Sequence, residues 1–216
     1  MKKQGIIAFC GSKFSGKSTS ASLFKEMVGV PVEELALADH LKEVSAKVFN
    51  IEYSFFIDPN KKEVEMGDLT ILDRDNLTQF LKAFSVEPLD RLVRPHLGRV
   101  LRTPRNVLQY LGTEVLHTID PLIHAKIVLK KKNSDKLTIV TDLRFVAEFD
   151  FFNTVPGFVP VYVKNSQAEF AASVDAHPSE RQLHDFKGKC YEINNEVRSI
   201  ENLRSNVGKL IKDIYE

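Results

Sequence analysis

The run Gly11-Ser-Lys-Phe-Ser-Gly16-Lys17-Ser18 constrains this chain more than any other feature. It fits the pattern G-x-x-x-x-G-K-[ST], follows the apolar run Gly5–Cys10 and precedes an amphipathic stretch. The order predicted is therefore strand, loop, helix. The residue types have a physical reason. Glycines let the backbone curl until successive N–H groups converge on one point, and the helix that starts there adds the positive end of its dipole. Such a cradle suits a phosphate chain. Gly11, Ser12, Ser15, Gly16, Lys17, Ser18 and Thr19 are the expected nucleotide-phosphate set, with ATP and Mg2+ as cofactors. Lys17 would reach the β- and γ-phosphates, and the Ser18 hydroxyl would ligate the metal. The plain alternative is a glycine turn of structural use only, and the strand–loop–helix context weighs against it.

Five short, β-branched runs read as strands: Gly5–Cys10, Val32–Ala38, Leu137–Thr141, Phe158–Val163 and Tyr191–Ile193. The first four are nearly continuous in apolar residues, as strands are when a parallel sheet is covered on both faces. Amphipathic segments alternate with them, so the expected fold is α/β. Leu23, Phe24, Met27 and Val28 share one helical face. Thr103-Pro104 and Asp120-Pro121 look like N-caps followed by proline, and Gly112 could end the helix begun at Pro104. Ser199 could cap a last helix striped by Leu203, Val207, Leu210, Ile211 and Ile214. The stretch 50–102 mixes charges and prolines with weak helical periodicity around Leu77–Phe84, and reads as a helical insertion or a loop. At 216 residues the chain is expected to form one domain, with that insertion and a lid-like loop about 165–189.

Composition narrows the partners. Thirty Lys and Arg against 29 Asp and Glu give a net charge of +1, which supplies no global footprint for nucleic acid or membrane. Small anionic molecules need only a local cluster of basic residues. Cys10 and Cys190 lie far apart in sequence with no zinc spacing, so two reduced thiols in a cytoplasmic protein are expected. No guanine-reading N-K-x-D is present: Asn60-Lys61-Lys62-Glu63 ends in Glu. A transport-ATPase signature is also missing, which favours a small-molecule kinase over a switch or motor.

The acceptor side offers two chemistries. A hydroxyl acceptor profits from a carboxylate base, whereas a phosphate acceptor needs cationic clamps. Asp39 closes the second apolar run, and Arg105, Arg144 and Arg181 sit at element boundaries. Arg105, just after Thr103-Pro104, could present its backbone N–H and its guanidinium to one anion. Asp142, at the tip of the third run, is where a carboxylate would hold the magnesium shell, though Asp also caps such turns. The isolated histidines His117, His177 and His184 read as surface or capping groups, and Lys130–Lys132 as the basic end of a helix.

The set GSKFSGKST, LALADHLKE, TPRNVLQYLGTE, TDLRFVAE, HPSE and YEINNEVRSIENL resembles the deoxynucleoside monophosphate kinases of tailed bacteriophages, over residues 5 to about 211. The resemblance implies a P-loop NMP-kinase-like three-layer fold, with a five-stranded parallel sheet and helices on both faces. It implies γ-phosphoryl transfer from ATP to a deoxynucleoside 5′-monophosphate (dNMP), supplying precursors for phage DNA synthesis in the cytoplasm of an infected cell. It implies Lys17 and Ser18 at the ATP phosphates, Asp39, Lys42, Arg105 and Arg144 near the acceptor, and Gln109, Thr113 and Glu114 along the acceptor pocket. Glu180 falls in the lid-side loop, and Asn194 and Asn195 approach adenine. Lys17, Arg105, Arg144 and Asp39 form the catalytic set, and Ser18 and Asp142 the metal set. The expected partners are the small molecules dNMP and ATP, with no stable nucleic-acid binding and no membrane; a homodimer stays open. His117, Leu122 and Lys164 stand where related sequences carry arginine, tryptophan and arginine, which bears on acceptor choice. A phosphomevalonate or dephospho-coenzyme A kinase, or a non-catalytic nucleotide-binding protein, is the alternative, and the T-P-R…G-T-E block argues against the two kinases.

Overall fold

The apolar run after the N-terminal lysines forms β1 (Gly5–Cys10), and every residue of it is buried. Around it the computed structural model, which describes residues 5–66, 70–174 and 190–215, builds a parallel sheet. Its other strands are β2 (Val32–Glu34), β5 (Leu137–Val140), β6 (Phe158–Lys164) and β7 (Tyr191–Asn194), in the order β2-β5-β1-β6-β7. The register pairs Ala8 with Val140 on one side and with Pro160 on the other. The five-stranded parallel α/β architecture expected from the sequence is present.

Side-chain alternation sorts the layers. Ile7, Phe9, Leu137, Ile139, Val161, Val163 and Ile193 pack against α1 (Lys17–Met27) and the last helix, α10 (Ile200–Tyr215). The predicted stripe supplies α10's contacts through Leu203, Val207 and Leu210, and the Asn202 N–H donates to Ser199 Oγ at its start. The opposite face carries Phe158, whose ring meets Phe149 and Phe152 of α8 (Val146–Asn153). Helices therefore cover both faces.

β2 ends earlier than the apolar run suggests. The expected strand reaches Ala38, but pairing stops near Leu35, whose N–H donates to Ile139 O. The Leu37 N–H turns instead to the carboxylate of Asp142, at 2.7 Å. A side chain replaces the ladder there, so the strand cannot continue.

This sheet belongs to one compact unit, Met1–Leu37 with Val128–Glu216; Ala38–Ile127 forms a second. The second unit contains α2 (Asp39–Val48), α3 (Ser54–Ile57), α4 (Arg74–Ala83), α5 (Asp90–Val93) and α6 (Pro104–Gln109). The boundary between units falls within α7 (Ile123–Lys131). Its core gathers Leu41, Phe56, Leu77, Phe80, Leu81, Val107, Leu111 and Val115. Within 50–102 the described residues include α3, α4 and α5 and an antiparallel pair, β3 (Thr70–Ile71) with β4 (Val100–Leu101). Among the described residues no helix is long and apolar enough to cross a membrane.

Candidate active site

The phosphate loop leaves β1 at Gly11 and enters α1 at Lys17, as the spacing predicts. Two glycines are structurally required. Gly11 has φ +138° and Gly16 φ +99°, which side-chain-bearing residues rarely adopt. A Cβ on Gly11 would stand 2.6 Å from Val163 O, and one on Gly16 2.4 Å from Asn195 Nδ2. Phe14 is also left-handed, at φ 66°, and its ring is 78% exposed. The loop thus concentrates unusual backbone, as ligand cradles do. Lys17 Nζ donates to Gly11 O at 2.8 Å and to Ser12 O at 2.7 Å, which draws the ammonium under the curl. Ser12 and Ser15 are buried, while Ser18 and Thr19 are exposed. The Cys10 thiol, immediately before the loop, is held above its ordinary range by a hydrogen bond with Cys190 and by burial. Both cysteines are free.

Beside β1 in the sheet, β5 is followed by a turn that carries Asp142 and Arg144. Asp142 Oδ1 accepts from Leu37, so this carboxylate has a structural duty besides any metal. Glu148 is 2% exposed, and its Oε2 accepts from the N–H groups of Arg144 at 3.3 Å and Phe145 at 3.2 Å. Burial, opposed by these hydrogen bonds and reinforced by Asp142, pushes its carboxyl up to about 8. Sequence reasoning gave Glu148 no role, although Glu three residues into a helix after a strand-end turn is a capping signal.

Asn194 is the last residue of β7 and Asn195 follows it. Asn194 is exposed; Asn195 is buried, and its Nδ2 donates to Ser15 O at 2.8 Å. The side chain placed near adenine from sequence touches the phosphate loop itself. Asn165, not singled out beforehand, supports it by donating Nδ2 to Asn195 O at 2.7 Å. An Asn at a strand end before a helix is the signal that could have found it.

The remaining candidates lie in the second unit. Asp39 and Lys42 pair across the first turn of α2, Nζ to Oδ1 at 2.8 Å. Thr103 caps α6 by accepting from the Asn106 N–H at 3.1 Å. The Arg105 guanidinium pairs with Glu63, and its backbone N–H donates to Lys62 O at 3.0 Å. The expectation that this N–H joins the guanidinium on one anion is therefore corrected: a carbonyl already takes it. Gln109 ends α6, and Gly112 does not end the helix. The chain continues through a π-helical stretch, Tyr110–His117, that carries Thr113 and Glu114. A Cβ on Gly112 would approach the end of the Leu41 side chain, Cδ2, to 2.9 Å. Wide turns of this kind are rare and concentrate at functional sites. His96 Nδ1 and Tyr110 Oη lie 2.9 Å apart, and Arg99 covers the Tyr110 ring at 4.6 Å, contacts sequence reasoning missed. Burial, opposed by the nearby Asp120, holds His117 below its ordinary pKa. Glu180 and Arg181, with His177 and His184, lie outside the described residues.

No group of three or more His, Cys, Asp or Glu that could hold a metal occurs among the described residues. The oxygen donors Ser18 and Asp142 nevertheless suit Mg2+, which takes one or two protein oxygens and completes its shell with water and substrate phosphates.

A protein of Acanthamoeba polyphaga mimivirus, named "Putative deoxynucleotide monophosphate kinase", is 28% identical over 203 residues, covering 87% of this chain and 86% of the relative. This chain is a P-loop protein similar to deoxynucleotide monophosphate kinases. The likeness of this P-loop protein to solved structures is more distant. The Thermus thermophilus protein TT1252 matches with a TM-score of 0.43 at 16% identity, covering 100% of both chains. A gluconokinase from Sinorhizobium meliloti 1021 matches with a TM-score of 0.40 at 13% identity, covering 100% of this chain and 98% of that one. The fold rests on the strand order and register above, not on these two. No family model matches the chain.

Proposed function

We propose that the protein transfers the γ-phosphoryl group of Mg-ATP to a deoxynucleoside 5′-monophosphate, giving the diphosphate and ADP. The observation that carries this is the loop Gly11–Ser18, with two left-handed glycines and the Lys17 ammonium drawn under its curl. The mimivirus relative supports the choice of acceptor. Lys17 and the loop N–H groups hold the β- and γ-phosphates; Ser18 and Asp142 hold the magnesium shell. A magnesium ion held there would supply positive charge to offset that of the β- and γ-phosphates. The acceptor is itself an anion, so Arg105, Arg144 and Lys42 offset repulsion between the two phosphates, with Asp39, Gln109, Thr113, Glu114 and Glu180 orienting the nucleotide. Asn194 lies toward adenine. Free dNMP and ATP make the cytoplasm, including that of a phage-infected cell, the place of action.

The test is a panel of acceptors at fixed Mg-ATP, following ADP release. The expected result is a higher kcat/KM for at least one of dAMP, dCMP, dGMP and dTMP than for any nucleoside, phosphomevalonate or dephospho-coenzyme A. A higher kcat/KM for an alcohol or coenzyme precursor than for every dNMP would overturn the assignment.

A further inference from the structure

The turn after β7 is fastened to the phosphate loop by a chain of buried amides. Asn195 is 7% exposed and Asn165 fully buried. Asn195 Nδ2 donates to Ser15 O at 2.8 Å. A carbonyl only accepts, so the facing atom is the amide nitrogen and the direction of the bond is fixed. The backbone of Asn195 is held on both sides: its N–H donates to Lys164 O at 2.9 Å, and its carbonyl accepts from Asn165 Nδ2 at 2.7 Å. Asn165 is held in turn, its Oδ1 accepting from the Ala168 N–H at 2.9 Å and from Arg198 Nη2 at 3.3 Å. Ala168 lies in the first turn of α9 (Ser166–Val174), so Asn165 is also that helix's cap.

The consequence for the loop is geometric. Ser15 C=O and Gly16 N–H belong to one planar trans peptide and point in opposite directions. Pinning the oxygen outward on Asn195 therefore aims the Gly16 N–H the other way, into the curl. Gly16 could not carry a side chain here, because a Cβ would meet the Asn195 amide at 2.4 Å. The close approach of Asn195 and the glycine at that position are one feature. A donor aimed before the ligand arrives costs no reorganisation on binding.

We propose that Asn195, braced by Asn165, is a positioning residue that sets the Ser15–Gly16 peptide of the phosphate loop, and that it acts on the phosphate chain of the nucleotide rather than on its base. The inference rests on the reading of this loop as an ATP site. It separates from an adenine contact by using a ligand without a base. The affinities of wild type and Asn195→Ala for Mg-ATP and for magnesium tripolyphosphate are measured by titration calorimetry on the full chain, together with KM for the dNMP. Asn195→Ala is expected to weaken both ligands by the same factor, about tenfold for one buried hydrogen bond, and to leave the dNMP KM within about twofold. Asn195→Asp, similar in shape without the donor, should not restore either affinity. Asn165→Asp keeps the acceptor for Ala168 but cannot donate to Asn195 O, and should weaken both ligands by a few-fold. If Asn195→Ala does not fold, wild-type affinities in Asn165→Asp overturn the proposal. Loss of ATP affinity with tripolyphosphate untouched would place Asn195 on the base and also overturn it. Unchanged binding of both ligands would overturn it while leaving the ATP site intact. Failure of the wild type to bind either ligand would remove the phosphate site itself, and the proposal with it.

Discussion

At the scale of single residues, charge placed before the substrate arrives is the main resource of this site. Lys17 donates its ammonium to two loop carbonyls, Gly11 O and Ser12 O, which fix its place in the loop. Phosphoryl transfer leaves the protein little covalent chemistry to perform, so removing that charge removes most of what it contributes. Lys17→Met should fold, since the side chain is only half-buried, and should lose turnover by about a thousandfold. Circular dichroism and a coupled ADP assay check the two halves of that statement; a folded variant keeping a tenth of wild-type turnover contradicts it. The loop that carries Lys17 and Ser18 was legible in the sequence because its pattern is local. The bond of Asn195 to the loop and those of Glu148 to its turn were not, because they depend on partners that the chain brings together only on folding. Ser15 lies 180 residues from Asn195, and Glu148 serves a turn whose shape no periodicity announces.

At the scale of elements, the turn between β5 and α8 shows how one buried carboxyl orders two candidate residues. Glu148 takes the Arg144 and Phe145 N–H groups, and Asp142 at the same turn takes Leu37. The Glu148 carboxyl, raised from 4.5 to about 8 mainly by burial, keeps its proton in the folded chain after the unfolded chain has lost it. The folded state binds more protons than the unfolded one between those values, so this group's contribution to stability falls as pH rises from about 4.5 to about 8. Glu148→Gln keeps an acceptor for the turn and removes the titration. Its melting temperature should decline less than that of wild type across that window, as scanning calorimetry would record; parallel curves would contradict the buried-proton account. The central strands were readable at this scale because burial on both faces makes them nearly continuous in apolar residues. The end of β2 was not, since Ala36–Ala38 look like strand until Asp142 claims the Leu37 N–H. Nor was the π-helical stretch Tyr110–His117, whose composition is that of an ordinary helix and whose Gly112 looks like a stop until Leu41 is seen against it.

At the scale of the whole molecule, the chain divides its candidate chemistry between two units. The phosphate loop, Asp142, Arg144 and Asn194–Asn195 belong to the sheet unit; Asp39, Lys42, Arg105, Gln109, Thr113 and Glu114 belong to Ala38–Ile127. Each unit has its own apolar core. The central claim is that a phosphoryl group leaves ATP and arrives on a nucleotide phosphate. Phosphorus NMR of one reaction containing the protein, Mg-ATP and the preferred dNMP tests it most directly, because it observes donor and acceptor together. The account predicts that the dNMP resonance is replaced by the α- and β-phosphate resonances of the dNDP, mole for mole with the appearance of ADP. ADP accompanied by inorganic phosphate at the same rate with and without dNMP, and no dNDP signal, would contradict it.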